Sequence, residues 1–273
     1  MSRRGAIAST LVGLSTALGN ALVSETIARK PGLLQSLDPR VKLTGLLALV
    51  LAAALSHRIG VILALWLGAT VLGLLSRVSL PTLATRVWLA VLLFTGVIAL
   101  PALFLTPGTP VLSSPDGKLH ISEQGIVAAT LLITRVETAA TLTTLLALTT
   151  PWMQILKSLR SFGVPQEFVM MLNMTHRYIF VLAESASQML ESRNSRTVGI
   201  LSSAAQRAIV ARTAGVLMGK SIELGNDVYL AMQSRAFRGD TKLLTGFRMT
   251  SRDFLALSGF LLIAMIAIWL GRA

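Results

Sequence analysis

Cysteine is absent from the 273 residues, which excludes a disulfide framework and any thiolate metal site. Charge is scarce: 14% of residues are Asp, Glu, Lys or Arg, where soluble domains carry about a quarter. Acids are the scarcer kind, 12 against 25 Lys and Arg, giving a formal net charge of +13. That excess would suit nucleic acid only on a polar, aromatic-bearing surface; aromatics are 5% of this chain, and the basic residues flank apolar runs instead. Histidine occurs three times, at His57, His120 and His176, without the spacing that a metal ion needs.

What is abundant is apolar: 53% of the chain. A membrane-crossing helix takes about 20 such residues, fewer where neighbours shield it. Five segments qualify: 43–55 with its flanks, 59–75, 87–105, 126–149 and 254–270. A break at Pro101 would raise the count to six. Asp38 is placed to cap the first helix, with Pro39 in its first turn. The N-terminal stretch, with Arg3 and Arg4, imitates a signal peptide. Ser9, Thr10, Gly13, Ser15, Thr16, Gly19 and Asn20 dilute its apolar character, so residues 1–40 read as a retained leader.

Lys and Arg favour the cytoplasmic side of a bilayer. With the N-terminus inside, Arg3, Arg4, Arg29, Lys30, Arg40, Lys42, Arg77 and Arg86 all fall inside, and only Arg58 disagrees. The expected architecture is all-α and polytopic. A four-helix membrane region spans 41–150, with an outer loop over 106–125 rich in turn formers, where 119–122 reads as a short strand. A cytoplasmic region covers 151–253, and a last spanning helix 254–273.

Within 151–253 the apolar spacing is helical. A short helix around Trp152, Ile155, Leu156 and Leu159 is stopped by Gly163 and Pro165. Two long amphipathic helices follow, over 166–196 and about 206–237. Each ends in a basic cluster: Arg193, Ser195 and Arg196 on the first, Ser234, Arg235 and Arg238 on the second. Arginine at a helix C-terminus is favoured by the dipole alone. Two similarly built ends also fit a second reading, in which each arginine enters an acidic groove of another protein, since its fork holds carboxylates bidentately. The methionines at 170, 171, 174, 189, 218 and 232 offer an adaptable contact surface.

Ala214–Ser221 imitates a phosphate-binding loop, but that loop must follow a buried strand and the residues before it are helical. Arg135 and Glu137, inside the fourth span, are expensive in lipid and are functional candidates or buried structural charges. Two apart on a helix, they face different ways. A membrane enzyme built on Arg135, Glu137 and His176 is one rival reading, though these groups make no acid–base pair at a workable spacing. A structural anchor whose basic face holds anionic lipid is another.

The chain resembles the transmembrane T component of energy-coupling factor transporters, CbiQ type, from Leu37 onward. The resemblance is carried by Leu37-Asp38-Pro39-Arg40-Val41-Lys42-Leu43, Thr149-Thr150-Pro151, Leu159-Arg160-Ser161-Phe162-Gly163-Val164-Pro165, Arg177-Tyr178 and the two arginine clusters. It implies a non-catalytic subunit of an uptake system in a bacterial plasma membrane, for cobalt first, with nickel or a vitamin as the alternatives, working with two ABC-type ATPases and a small substrate-binding membrane subunit. ATP and Mg would be bound by the ATPases, leaving this chain without a cofactor. Arg196 and Arg235 would be the docking arginines. Ser195, Thr197, Ser234 and Ala236 depart from the Ala and Gly usual beside them.

Overall fold

The computed structural model describes residues 9–10, 12–16, 19, 28, 32–106, 109–113, 120–197, 202–237 and 249–272; Arg238 lies outside them. The chain forms two compact units, Ser24–Ser158 with Phe247–Ala273, and Met1–Val23 with Leu159–Gly246.

The first unit opens with α1, Pro39–Leu55. Its start follows from Asp38, whose side chain accepts the Arg40 N–H at 2.9 Å, with Pro39 in the first turn. Such a cap satisfies one of the four donors that every helix start leaves open. Helix α2, Ile59–Leu75, closes with the Arg77 and Val78 N–H groups returning to Leu74 and Gly73, and with Arg77 at φ 54°. The third span begins earlier than its apolar run. A helical turn, Leu80–Leu83, and a π-helix, Ala84–Trp88, lead directly into α3, Leu89–Leu105.

Pro101 does not divide α3. It lies near the helix end, so its missing N–H frees only one earlier carbonyl, and membrane helices tolerate that. A hairpin follows, in which β1, Pro110–Ser113, pairs antiparallel with β2, His120–Ser122. Ser122 then caps α4, Glu123–Thr149, accepting the Gly125 N–H at 3.0 Å. After α4 comes the nine-residue α5, Trp152–Arg160.

The last helix of this unit, numbered below as α8, is Ser251–Arg272. It and α4 are the two described helices long and apolar enough to cross a bilayer unaided by neighbours. The α1 helix is central: Leu46, Leu49, Ala52 and Ala53 share a core with Leu65 and Ala69 of α2, Leu142 and Leu145 of α4, and Phe260, Ala264 and Ala267 of α8. Helices α1 and α8 run parallel and close. A side chain at Gly45 would strike the Phe260 ring, and one at Gly271 would stand 2.6 Å from Ser56 Oγ. Small residues at the contact are how helices approach one another in lipid, where apolar area alone gives little drive. Outward faces are frankly apolar: Leu89 and Phe94 are 69% exposed, and Leu255 73%. Faces of that kind belong in a membrane or against another protein, and the unit is an all-α membrane bundle.

The second unit holds two long helices, α6, Gln166–Ser195, and α7, Ser203–Ser234. Gly163, at φ 82°, makes the turn before α6. Helix α7 starts a few residues before its apolar pattern does, because Ser202 accepts the Ala205 N–H at 3.2 Å.

Candidate functional site

The ends of α6 and α7 place their arginines alike. Arg196 occupies the residue after α6 at φ −92°, ψ −3°, and Arg235 the residue after α7 at φ −92°, ψ 16°. Both side chains are exposed. Neither guanidinium has a partner among the described residues, so two fixed positive charges stand at two helix ends that already carry partial negative charge. Arg193 sits in the last turn of α6.

The departures noted in the sequence have local work. Ser195 donates to the Glu191 carbonyl at 2.8 Å and Thr197 to the Arg193 carbonyl at 2.7 Å. At the end of α7, the Ala236 N–H returns to Gln233 at 2.9 Å and the Phe237 N–H to Met232 at 3.0 Å. This is the 6→1 and 5→2 closure usually made with glycine, yet Ala236 holds it at φ 56°. A Cβ in that region costs about 1 to 2 kcal/mol. Ala236→Gly should therefore stabilise the end of α7 by about 1 kcal/mol, read as an approximately fivefold slowing of amide hydrogen exchange over 232–237. Unchanged exchange would show that the end carries no strain.

Inside the bundle, Arg135 has a partner that side-chain spacing does not reveal. Its Nη2 donates to the Ser56 carbonyl at 2.6 Å, an acceptor left open at the end of α1. At the other end of the same helix pair, Lys42 is 1% exposed and its Nζ donates to the Thr149 carbonyl at 3.2 Å. The spacing from Lys42 to Ser56 on α1 equals that from Arg135 to Thr149 on α4, as an antiparallel register requires. Each helix thus covers the other's last carbonyls with one basic side chain. Lys42, counted among the loop cations in the orientation argument, is a buried helix residue.

Two further contacts complete this frame. Asp253 accepts the Thr250 N–H at 2.8 Å, which caps α8, and the Asp38 N–H at 2.9 Å, which ties the starts of α8 and α1. At the opposite end Ser56 Oγ is 3.2 Å from the Ala267 carbonyl, and the His57 N–H reaches the Gly271 carbonyl at 3.0 Å.

Glu137 does not pair with Arg135. It is 8% exposed, and neither carboxylate oxygen has a donor among the described residues. One turn along, Thr141 Oγ1 accepts from Trp88 Nε1 at 3.2 Å, and the Trp88 ring lies 5.1 Å from that of Trp66. The π-helix aims Trp88 at this spot, and no propensity in the sequence announced it.

The other candidates lose their chemistry. His176 packs its ring edge-on against Phe180 of its own helix, 5.1 Å away. The Ala214–Ser221 stretch is interior helix, and Lys220 Nζ donates to Ser185 Oγ at 3.0 Å, so the strand and loop needed to cradle phosphates there are missing. No cluster of metal-ligating residues occurs among the described residues.

Comparison with known proteins points one way. The model of the CbiQ family, described as cobalt transport protein, matches residues 32–245. An uncharacterized protein of Methanocaldococcus jannaschii is 30% identical over 254 residues, 91% of this chain and 85% of that one. The cobalt transport protein CbiQ of Rhodobacter capsulatus is 31% identical over 158 residues, 56% of this chain and 63% of its own. The energy-coupling factor transporter transmembrane protein EcfT of Leuconostoc gelidum is 30% identical over 203 residues, covering 67% and 72%.

Proposed function

The chain belongs to the CbiQ family of cobalt transport proteins, and from that membership we propose that it is the coupling subunit of an energy-coupling factor transporter importing cobalt ion. As a family member it is a membrane transport component and not an enzyme. Two ABC-type ATPases would bind ATP and Mg, and a small membrane subunit would hold the substrate. The N-terminus and residues 151–253 would face the cytoplasm.

The observation that carries this reading is the pair of exposed arginines, Arg196 and Arg235, without a partner among the described residues and on similar backbone geometry at two helix ends. In this reading Arg193 and Arg238 add charge around them, and Ser195 and Ser234 keep each tip narrow. Ser234 donates to the Ala231 carbonyl at 3.0 Å and so leaves the arginine unobstructed. Large apolar side chains remain exposed along both helices, Met171 at 64% and Met218 at 65% among them. They suit a mobile membrane subunit better than water.

Co-expression of the chain with the ATPases and the small subunit, followed by ATP-dependent uptake of labelled cobalt and nickel into vesicles, tests the function. Cobalt accumulation above nickel is expected. Accumulation of neither would overturn the substrate assignment. Arg196→Lys combined with Arg235→Lys separates docking from simple charge. A bidentate fork loses geometry with lysine, so recovery of the ATPases should fall about tenfold, whereas a basic face that only holds anionic lipid would be indifferent to the exchange.

A further inference from the structure

Helices α6 and α7 carry an unmatched feature near the Arg196 tip. The Lys220–Ser185 bond of 3.0 Å fixes their antiparallel register. Equal steps in opposite directions from it bring Met189 opposite Val216, Ser192 opposite Thr213, and Arg193 opposite Arg212. These six residues line one cavity of about 220 Å³ between the helices. None of the six is acidic, and among the described residues neither guanidinium has an ion-pair or hydrogen-bond partner. Two exposed like charges lining one cavity repel one another, and none of the cavity's other four lining residues carries a charge to offset this.

We propose that the cavity between Arg193 and Arg212 is a binding site for a phosphate-type oxyanion. Forks arriving from two helices suit a tetrahedral group, which offers separate oxygens to each; a carboxylate offers two oxygens in one plane and is filled by a single fork. The Ser192 and Thr213 hydroxyls donate to their own helices at present, to Met189 at 3.1 Å and Ile209 at 3.0 Å. Hydroxyl hydrogens rotate, so both can turn toward an incoming oxyanion. Met189 and Val216 form an apolar wall beside the charges, on which a glycerol or acyl stem can lie. The phosphate is that of a phospholipid headgroup or of a free phosphate. This site is independent of which metal is transported.

The full chain in detergent micelles is offered two probes: phosphatidylglycerol, read by native mass spectrometry, and labelled inorganic phosphate, read by equilibrium dialysis. Wild type should retain one of them, and Arg212→Gln should bind it about tenfold more weakly or worse, with Arg212→Lys in between. Phosphatidylglycerol retention that excess inorganic phosphate does not displace identifies the lipid source, and saturable inorganic phosphate binding identifies the free one. If Arg212→Gln fails to give a monodisperse protein, Arg212→Lys decides by the same comparison. Equal binding of both probes by wild type and variant overturns the site. So does loss of ATPase recovery in Arg212→Gln with probe binding unchanged, because the cavity would then serve an acidic side chain of the partner.

Discussion

Arg196→Glu together with Arg235→Glu is expected to abolish recovery of the ATPases with the chain while leaving its insertion in the membrane intact. The magnitude follows from what a docked arginine does. A charge enclosed by a partner and matched to carboxylates costs about 3 to 5 kcal/mol when the pair is broken, and each reversal also sets like charges against one another. At roughly 1.4 kcal/mol per factor of ten, one such loss lowers affinity over a hundredfold, and two leave no measurable complex. Insertion is spared because both side chains are exposed and make no ion pair or hydrogen bond among the described residues. Each single variant should retain partial recovery, because in the proposed docking each tip would engage its own ATPase. Full recovery from the double variant would remove both arginines from the docking assignment.

The apolar runs made five apolar helices legible, and their ends fall within a few residues of the expected ones except at α3, where helical backbone already begins at Leu80 instead of 87. Asp38-Pro39 opens α1 as expected, and Gly163 and Pro165 separate α5 from α6. Three features were not legible, each for a physical reason. The Arg135 partner is the Ser56 main-chain carbonyl, and every residue offers such a group, so no side-chain pattern marks it. Lys42 looked like a flanking cation, because hydropathy counts a charge the same whether it faces water or a neighbouring helix end. The π-helix at Ala84–Trp88 adds one residue to a turn without any distinctive composition. The candidate site divides similarly. The arginine tips were visible as repeated small-Arg clusters, whereas the shared cavity of Arg193 and Arg212 depends on a register set by Lys220 and Ser185.

Lys42→Met and Arg135→Met are expected to destabilise the bundle by about 2 kcal/mol each, from loss of one charged hydrogen bond apiece. Methionine keeps the volume of the stem, so packing changes little. The two bonds lie roughly 21 Å apart along the helix pair, at 1.5 Å rise per residue. At that distance effects add, and the double variant should lose about 4 kcal/mol, additive within about 0.5 kcal/mol, in an unfolding titration from mixed micelles. A loss below about 0.5 kcal/mol for each single variant would show that these bonds do not hold the pair. Their functional effects should differ even though their stabilities match. Lys42 grips the Thr149 carbonyl, where α4 passes into Thr150, Pro151 and α5; under the proposed coupling role, a pull on residues 151–253 would enter the bundle at this joint. Arg135 grips the opposite end of α1. At equal stability loss, Lys42→Met should therefore depress uptake per ATP hydrolysed more than Arg135→Met. Equal uptake ratios would mean that both bonds serve the fold alone and that the force enters elsewhere.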